Sequence, residues 1–565
     1  MVRGTYPWAF TTLFGQQVDR IFKTTPFRRA CNLRVLTNGQ TLYRVASFGL
    51  MAWLVAASAH AANPAAPAEK TKAVNTLNFP GGPSQVPPDL QRALSEILSD
   101  SSLRGARVSF MAQMVDTGQV LASYNPDKLI NPASNVKLIT AAAALRILKP
   151  EYRYRTRYYA WGPIIDGVLK GHLVVKGFGD PTVVTERLKK VASGLANMGI
   201  KKITGQVVID DSFFDGVREA SGWETEEAPE RAYAAPVGAL SLNYNAVSVL
   251  LRPDDLGKPA LMQVEPPAEY VTLEGKVMTN RWGRRLQVMT RAGPDTTLMQ
   301  VGGTIRPRSK PLRIFRRVYD PGLYYGSALT GFLQIHGVEM RHDVVRGRLP
   351  ASARLLYVDR SLTLGEVINT LNKYSNNFMA ETLIKTIGAD QSGAPGTFDS
   401  GLAAVRYFLE NEIGYEPGSY KLGNGSGLNH VNLFSSHHMV KLLSHLYKDF
   451  EIGSEFVTSL GIAGTQGTIA FRMRHTAAER RLRAKTGTLR GVSALSGYVV
   501  DPKERVIAFS IMAQGFSGRT SNMWKIQNAI GEALATDGAS WIMAHGDEEG
   551  VQTTKSAGRA RGSVR

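Results

Sequence analysis

The sequence predicts a mixed α/β (α+β) protein whose helix-and-strand material lies at both ends and is split by a long β-rich insertion. Strand-like runs at Arg107–Gln113 and Gln119–Tyr124, with a helix pattern over 133–148, stand near the front. Further strand runs at 483–489, 494–500 and 505–513, then an amphipathic helix at about 519–535, stand near the back. Between them, from 151 to 355, the pattern turns period-two, Arg-rich and punctuated by glycine.

Residues 1–61 read as an address. Arg44 precedes an apolar run from Val45 to Ala57, and Ala59-His60-Ala61 supplies a small-x-small exit. A basic flank, a short apolar core and such an exit make a secretory signal peptide. The run is short for a spanning helix, which needs about 20 residues, so an uncleaved anchor is the lesser alternative. A basic flank of 44 residues is long, which points to an over-extended translation start. Cleavage after Ala61 would remove Cys31, the single cysteine, and leave a mature chain without thiols. One cysteine in any case excludes an intrachain disulfide framework or a cysteine-rich zinc site.

The full chain of 565 residues carries +20, of which residues 1–61 hold +6 and the remainder +14. At 43% hydrophobic and 20% charged it is a folded protein, not a disordered or collagen-like one. The positive remainder favours anionic surroundings.

The elements follow in order. Residues 62–87, rich in Ala, Pro and Gly, read as a flexible lead, and a helix is expected at about 88–100. Asp116-Thr117-Gly118 joins the first two strands as a hairpin. The Ala/Leu helix over 133–148 stops before Pro150. Tyr152, Tyr154 and Thr156 then alternate with arginines, and Asp166-Gly167 marks a turn between two β-type runs. The insertion reads as two subdomains whose excision would spare the rest, because both junctions lie beside breakers. Helices return at Leu364–Tyr374 and Phe378–Ile387, and the tail 546–565 is polar and expected to be disordered.

Three short motifs carry chemistry. Ser134-Asn135-Val136-Lys137 opens the Ala-rich helix, and a spacing of three puts both side chains on one face. A serine hydroxyl needs a base, which a desolvated lysine can supply, and a helix N-terminus offers N–H groups to an oxyanion. Alone, this pattern is better read as a helix-capping serine beside a solvated lysine. Ser375-Asn376-Asn377 lies 241 residues after Ser134, and Lys485-Thr486-Gly487-Thr488 another 110 residues on, in a strand run. S-x-x-K, S-D-N and K-T-G in that order are the signature of β-lactamases and penicillin-binding proteins.

From about 90 to 540 the chain resembles the low-molecular-mass class C penicillin-binding proteins, the D-alanyl-D-alanine carboxypeptidase/endopeptidase family. The likeness rests on Asn131-Pro132-Ala133-Ser134-Asn135-Val136-Lys137 and the other two motifs. Gly177-Phe178-Gly179-Asp180-Pro181, 205–211 and 464–468 add to it. It implies a β-lactamase/transpeptidase-like domain, an antiparallel sheet flanked by helices, built from 88–150 and 356–545 around the inserted 151–355. It also implies roles: Ser134 as nucleophile and Lys137 as its base, held neutral by burial and by repulsion from Lys485. Ser375 would relay a proton, and Asn377 would hold substrate and orient Lys137. Lys485 and Thr488 would bind a terminal carboxylate, with Thr486 and Gly487 lining the same strand. Ser134 and Thr488 N–H groups would form the oxyanion hole. The implied partners are peptidoglycan stem peptides ending in D-Ala-D-Ala and β-lactam antibiotics, in the periplasm, without metal or organic cofactor.

A β-lactamase on the same scaffold and a non-catalytic wall-binding protein are the alternatives. The family commonly carries Asp-Gly-Ser-Gly-Leu-Ser where this chain has Asn424-Gly425-Ser426-Gly427-Leu428-Asn429, which puts any role of that aspartate in question. His437-His438 reads as a solvated helix start rather than a metal site. Arg306, Arg308, Lys310, Arg313, Arg316 and Arg317 read as a solvated face rather than a nucleic-acid surface, with peripheral contact to an anionic wall or membrane as the second reading. The arginines at 472, 474, 480, 481 and 483 are expected to bias the site positive.

Overall fold

Side chains on the central strands alternate between two buried faces, and that alternation sets the architecture. Phe110, Ala112 and Met114 enter one core and Met111 the other; Leu495 and Val499 oppose Ala494 and Tyr498 in the same way. A computed structural model describes residues 77–80, 86–283 and 285–539. The signal-peptide reading, Cys31 and the tail 546–565 lie outside the described residues.

The main sheet has seven strands, all antiparallel. Its order is Leu77–Asn78, Val120–Tyr124, Arg107–Met114, Val506–Gln514, Val492–Val500, Leu482–Leu489 and Gly461–Ile462. Strands from the two halves that flank the insertion thus meet at the sheet's centre, where Arg107–Met114 pairs with Val506–Gln514. Helices Pro88–Leu98 and Thr520–Ala535 pack on one face, through Leu90, Leu94, Ile526 and Ile530. On the other lie Val136–Leu148, Leu364–Tyr374, Asn377–Ser392, Phe398–Asn411 and Ser436–Lys448. This is the expected antiparallel sheet flanked by helices. One expectation changes at its edge. Leu77–Asn78, within the supposed flexible lead, adds a strand, because Leu77 and Phe79 pack on the core beneath it.

The inserted region has its own five-stranded sheet, ordered Val344–Arg346, Val207–Asp210, His172–Gly177, Arg155–Trp161 and Arg354–Arg360. Three-stranded sheets centre on Ala246–Arg252 and on Thr296–Ile305. The region is less purely β than the period-two reading suggests. Helices Thr185–Asn197 and Pro321–Ile335 bury Leu188, Val191, Leu329 and Phe332 in its core. The second starts on legible signals, an Asp320 cap and Pro321 at the first turn, but its three glycines dilute the helical pattern. The boundary expected at 355 falls inside Arg354–Arg360, which pairs with Arg155–Trp161. Phe214, Ala220, Trp223, Ala234, Val237 and Ala239 leave the inserted core and pack with helices Val136–Leu148 and Asn377–Ser392.

Candidate active site

Ser134 sits in a single 3-10 turn, Ala133–Asn135, that runs directly into helix Val136–Leu148. Asn131 shapes the approach: its Oδ1 accepts from Ala133 N at 2.8 Å, and Ala133 takes a φ of 47°. The helix is buried on nearly every side, so Lys137, one turn beyond the serine, has no exposed surface. Its Nζ donates to Ser134 Oγ at 3.0 Å, to Asn377 Oδ1 at 2.7 Å and to the Ser426 carbonyl at 2.5 Å. Burial lowers its pKa to about 7, opposed by the nearby Glu381 carboxylate.

The second motif is a junction between helices. A Thr363–Glu366 capping box starts Leu364–Tyr374, and Ser375 ends it in the left-handed region at φ 57°. Asn376 then caps Asn377–Ser392, its side chain accepting from Met379 N at 3.0 Å. Either Asn or Asp can serve there, so the departure from S-D-N at this position keeps the cap. The junction leaves Ser375 within 2.8 Å of Lys485 Nζ and Asn377 against Lys137.

The third motif lies on strand Leu482–Leu489. Lys485 has no exposed surface and also donates to the Thr486 carbonyl at 2.8 Å. Thr486 Oγ1 donates to Thr468 Oγ1 at 2.8 Å. A Cβ on Gly487 would stand 2.5 Å from the Pro132 carbonyl oxygen, so glycine is what lets this strand approach the nucleophile's turn. Thr488 follows, exposed, opposite Ser493. Burial, then the charge of Lys137, pushes the Lys485 pKa well below its usual value. The expected repulsion therefore bears on Lys485, whereas burial is what lowers Lys137.

Residues that the motifs did not announce complete the site. Ser426 supplies a carbonyl to Lys137, and Glu381, fully buried, accepts from Gly425 N at 3.1 Å and Ser426 N at 2.8 Å. A signal existed: Asn377, Glu381 and Lys385 recur every four residues on one face of a helix that is buried from Phe378 to Ala389. Asn377 Nδ2 also donates to the Tyr233 carbonyl at 3.1 Å, which no local pattern could reveal.

Three surface readings change. His438 is half-buried, its ring 4.7 Å from Tyr415 and its Nε2 3.1 Å from Ser419 Oγ, so only His437 is solvated at that helix start. Arg317 is buried, paired with Glu219, and donates to the Ala234 carbonyl at 3.1 Å, while Arg306, Arg308 and Lys310 are exposed as expected. Arg472 bonds Asn528 and Gln527 of the last helix, and Arg481 pairs with Glu504 at 2.8 Å. Neither is free to charge the site.

An all-antiparallel seven-stranded sheet with helices on both faces, and the three motifs gathered beside one of its edges, define a β-lactamase/transpeptidase-like protein. Residues 90–536 match the D-Ala-D-Ala carboxypeptidase 3 (S13) family, and the chain belongs to it. It is a low-molecular-mass class C penicillin-binding protein and a serine-type D-Ala-D-Ala carboxypeptidase. It is 34% identical over 462 residues to a D-alanyl-D-alanine carboxypeptidase of Actinomadura sp. (strain R39), covering 79% of this chain and 84% of that one. With a D-alanyl-D-alanine carboxypeptidase of Haemophilus influenzae it shares 27% over 421 residues, covering 73% and 86%. The crystal structure of penicillin binding protein 4 from Haemophilus influenzae has the same fold, with TM-score 0.69 at 24% identity, covering 78% of this chain and 99% of that one.

Proposed function

We propose that Ser134 is the nucleophile of this carboxypeptidase and Lys137 its general base, acting on peptidoglycan stem peptides that end in D-Ala-D-Ala. One observation carries the assignment: the Lys137 amine, buried and with a pKa of about 7, lies 3.0 Å from the Ser134 hydroxyl. A lysine that is half neutral near pH 7 can take the hydroxyl proton as Oγ attacks the penultimate D-Ala carbonyl. Ser134 and Thr488 N–H groups receive the developing oxyanion. As the C–N bond breaks, Ser375, which accepts from Lys485 Nζ, passes its proton to the departing D-Ala amine, and the proton that Lys137 took from Ser134 replaces it. Water then hydrolyses the ester and returns free serine. Lys485 and the Thr488 hydroxyl hold the terminal carboxylate, with Thr486 beside them on the substrate-binding strand, while Gly487 lets that strand lie against the nucleophile's turn. Asn377 holds the substrate backbone and Lys137 together.

A β-lactam presents the same carbonyl to Ser134 and is released slowly. Cleavage of D-Ala–diaminopimelate crosslinks belongs to the same chemistry. We further infer export, with residues 1–61 removed. A mature N-terminus at Ala62 in the exported protein supports this, and an intact 1–61 segment refutes it.

Mass spectrometry of the penicillin-treated protein tests the central assignment. Wild type should gain one adduct at Ser134, and folded Ser134→Ala none. A covalent adduct on folded Ser134→Ala would refute it. Conversion of crosslinked muropeptide dimers to monomers would establish the endopeptidase activity.

A further inference from the structure

Two of the unexpected asparagines face the inserted region. Asn424, buried, donates through Nδ2 to the carbonyls of Ser221 and Leu428, each at 2.9 Å. Its Oδ1 accepts from Gly427 N at 2.8 Å and from Asn432 Nδ2 at 2.9 Å. Asn429, at φ 64°, donates to the next carbonyl of the same segment, that of Gly222. The Asn429 carbonyl in turn accepts from Asn131 Nδ2 at 3.0 Å, on the turn that precedes Ser134. A carboxylate at 424 could donate to neither carbonyl, and a serine at 429 would offer one O–H on a shorter side chain in place of the amide.

The segment they hold runs back to the catalytic lysine. Gly222 opens the 3-10 turn Trp223–Thr225, and Trp223 is buried among the catalytic helices. Glu226 follows and accepts from the Tyr233 hydroxyl at 2.8 Å. The Tyr233 carbonyl accepts from Asn377 Nδ2, whose Oδ1 accepts from Lys137. Arg317 fastens the far end through the Ala234 carbonyl.

We propose that Asn424 and Asn429 are positioning residues that tie an inserted strap, residues 221–234, to the loop beneath Ser134, and that the strap sets Asn377 and through it the Lys137 amine. The proposal rests on the assignment of Ser134 and Lys137 made above. It explains why both departures are to asparagine: each amide supplies an N–H to one of two consecutive strap carbonyls.

Single-turnover acylation of the full chain by a fluorescent penicillin, timed on both sides of neutral pH, tests it. Neutral substitutions avoid adding charge beside Glu381 and Lys485, the ionisable groups that act on Lys137 or respond to it. Asn429→Gly tolerates the positive φ and removes the donor; Asn424→Ala removes its counterpart; Tyr233→Phe cuts the link to Glu226. Each should slow acylation about 10-fold, as small misplacements of catalytic groups do. Asn429→Gly combined with Tyr233→Phe should cost less than the product of the two, because both loosen one strap. Water admitted to Lys137 should move the rise of rate to higher pH. Tyr233 is 45% exposed, so Tyr233→Phe carries the test even where a loop variant fails to fold. Wild-type rates and an unmoved pH profile in folded variants, whatever their melting temperatures, overturn the strap alone. Absence of wild-type labelling at Ser134 would overturn the underlying assignment instead.

Discussion

On the proposed assignment, Lys137 concentrates the chemistry in one amine. Only its neutral form can accept the Ser134 proton, and its pKa is lowered to about 7. Acylation should therefore rise as pH rises through about 7 and flatten above it, where the amine is already neutral. Glu381 opposes that lowering, so Glu381→Gln, which nearly preserves shape, should move the rise to lower pH. A shift to higher pH would mean that Glu381 does not act on Lys137 through charge. Lys485 too lies well below its usual pKa, and a substrate carboxylate would favour its charged form. Lys485→Ala should thus cut kcat/KM for a peptide ending in a free carboxylate by about 10- to 100-fold, in keeping with a charge-assisted hydrogen bond. The amidated peptide should lose far less. Equal losses on both peptides would remove carboxylate binding from Lys485's role.

The elements that carry these side chains are joined at tight places. Asn376 begins helix Asn377–Ser392 and so aims Asn377, Glu381 and Lys385 inward together. Asn376→Ala should cost about 1 kcal/mol through the lost cap, while Asn376→Asp should hold the wild-type melting temperature. Calorimetry separates them. Strand Leu482–Leu489 depends on Gly487 in another way, since any Cβ there meets the Pro132 carbonyl at 2.5 Å. Gly487→Ala should cost about 1–3 kcal/mol of stability by overpacking and slow penicillin acylation as well, because strand and serine turn must part. A folded variant that acylates at the wild-type rate would show that this contact is not needed.

Over the whole chain, the inserted region is less detachable than breakers at its ends suggest. Phe214, Trp223 and Val237 belong to the core around helices Val136–Leu148 and Asn377–Ser392. Excising 151–355 would empty that core of several large side chains and leave the end of Arg354–Arg360 without Arg155–Trp161. Each buried Phe or Trp removed costs about 3–5 kcal/mol, which is comparable to the stability of a domain. We expect such a deletion to give no soluble, penicillin-labelled protein. Recovery of a folded, labelling deletion would show that the inserted segment is dispensable to the catalytic core.

What the chain states locally, it states clearly. Ser134 and Lys137 are one helical turn apart, and Lys485, Gly487 and Thr488 lie on one strand, so their spacing alone placed them. Strand-like runs at both ends likewise announced the sheet, and Asp116-Thr117-Gly118 marked where its first two runs reverse. Contacts between distant residues were decided only by packing. Burial of Lys137, which lowers its pKa, depends on Ser426 and a helix enclosed on nearly every side, beside the Glu381 carboxylate. Arg317 and Arg472 read as surface charge because arginine is usually solvated, yet each found buried acceptors on a distant element. Asn424 and Asn429 looked like losses beside the family pattern, and became donors once residues 221–222 lay over them. Side-chain periodicity reports which face an element buries, but a hydrogen bond across 200 residues exists only after the chain has folded, when desolvation makes an unpaired carbonyl costly.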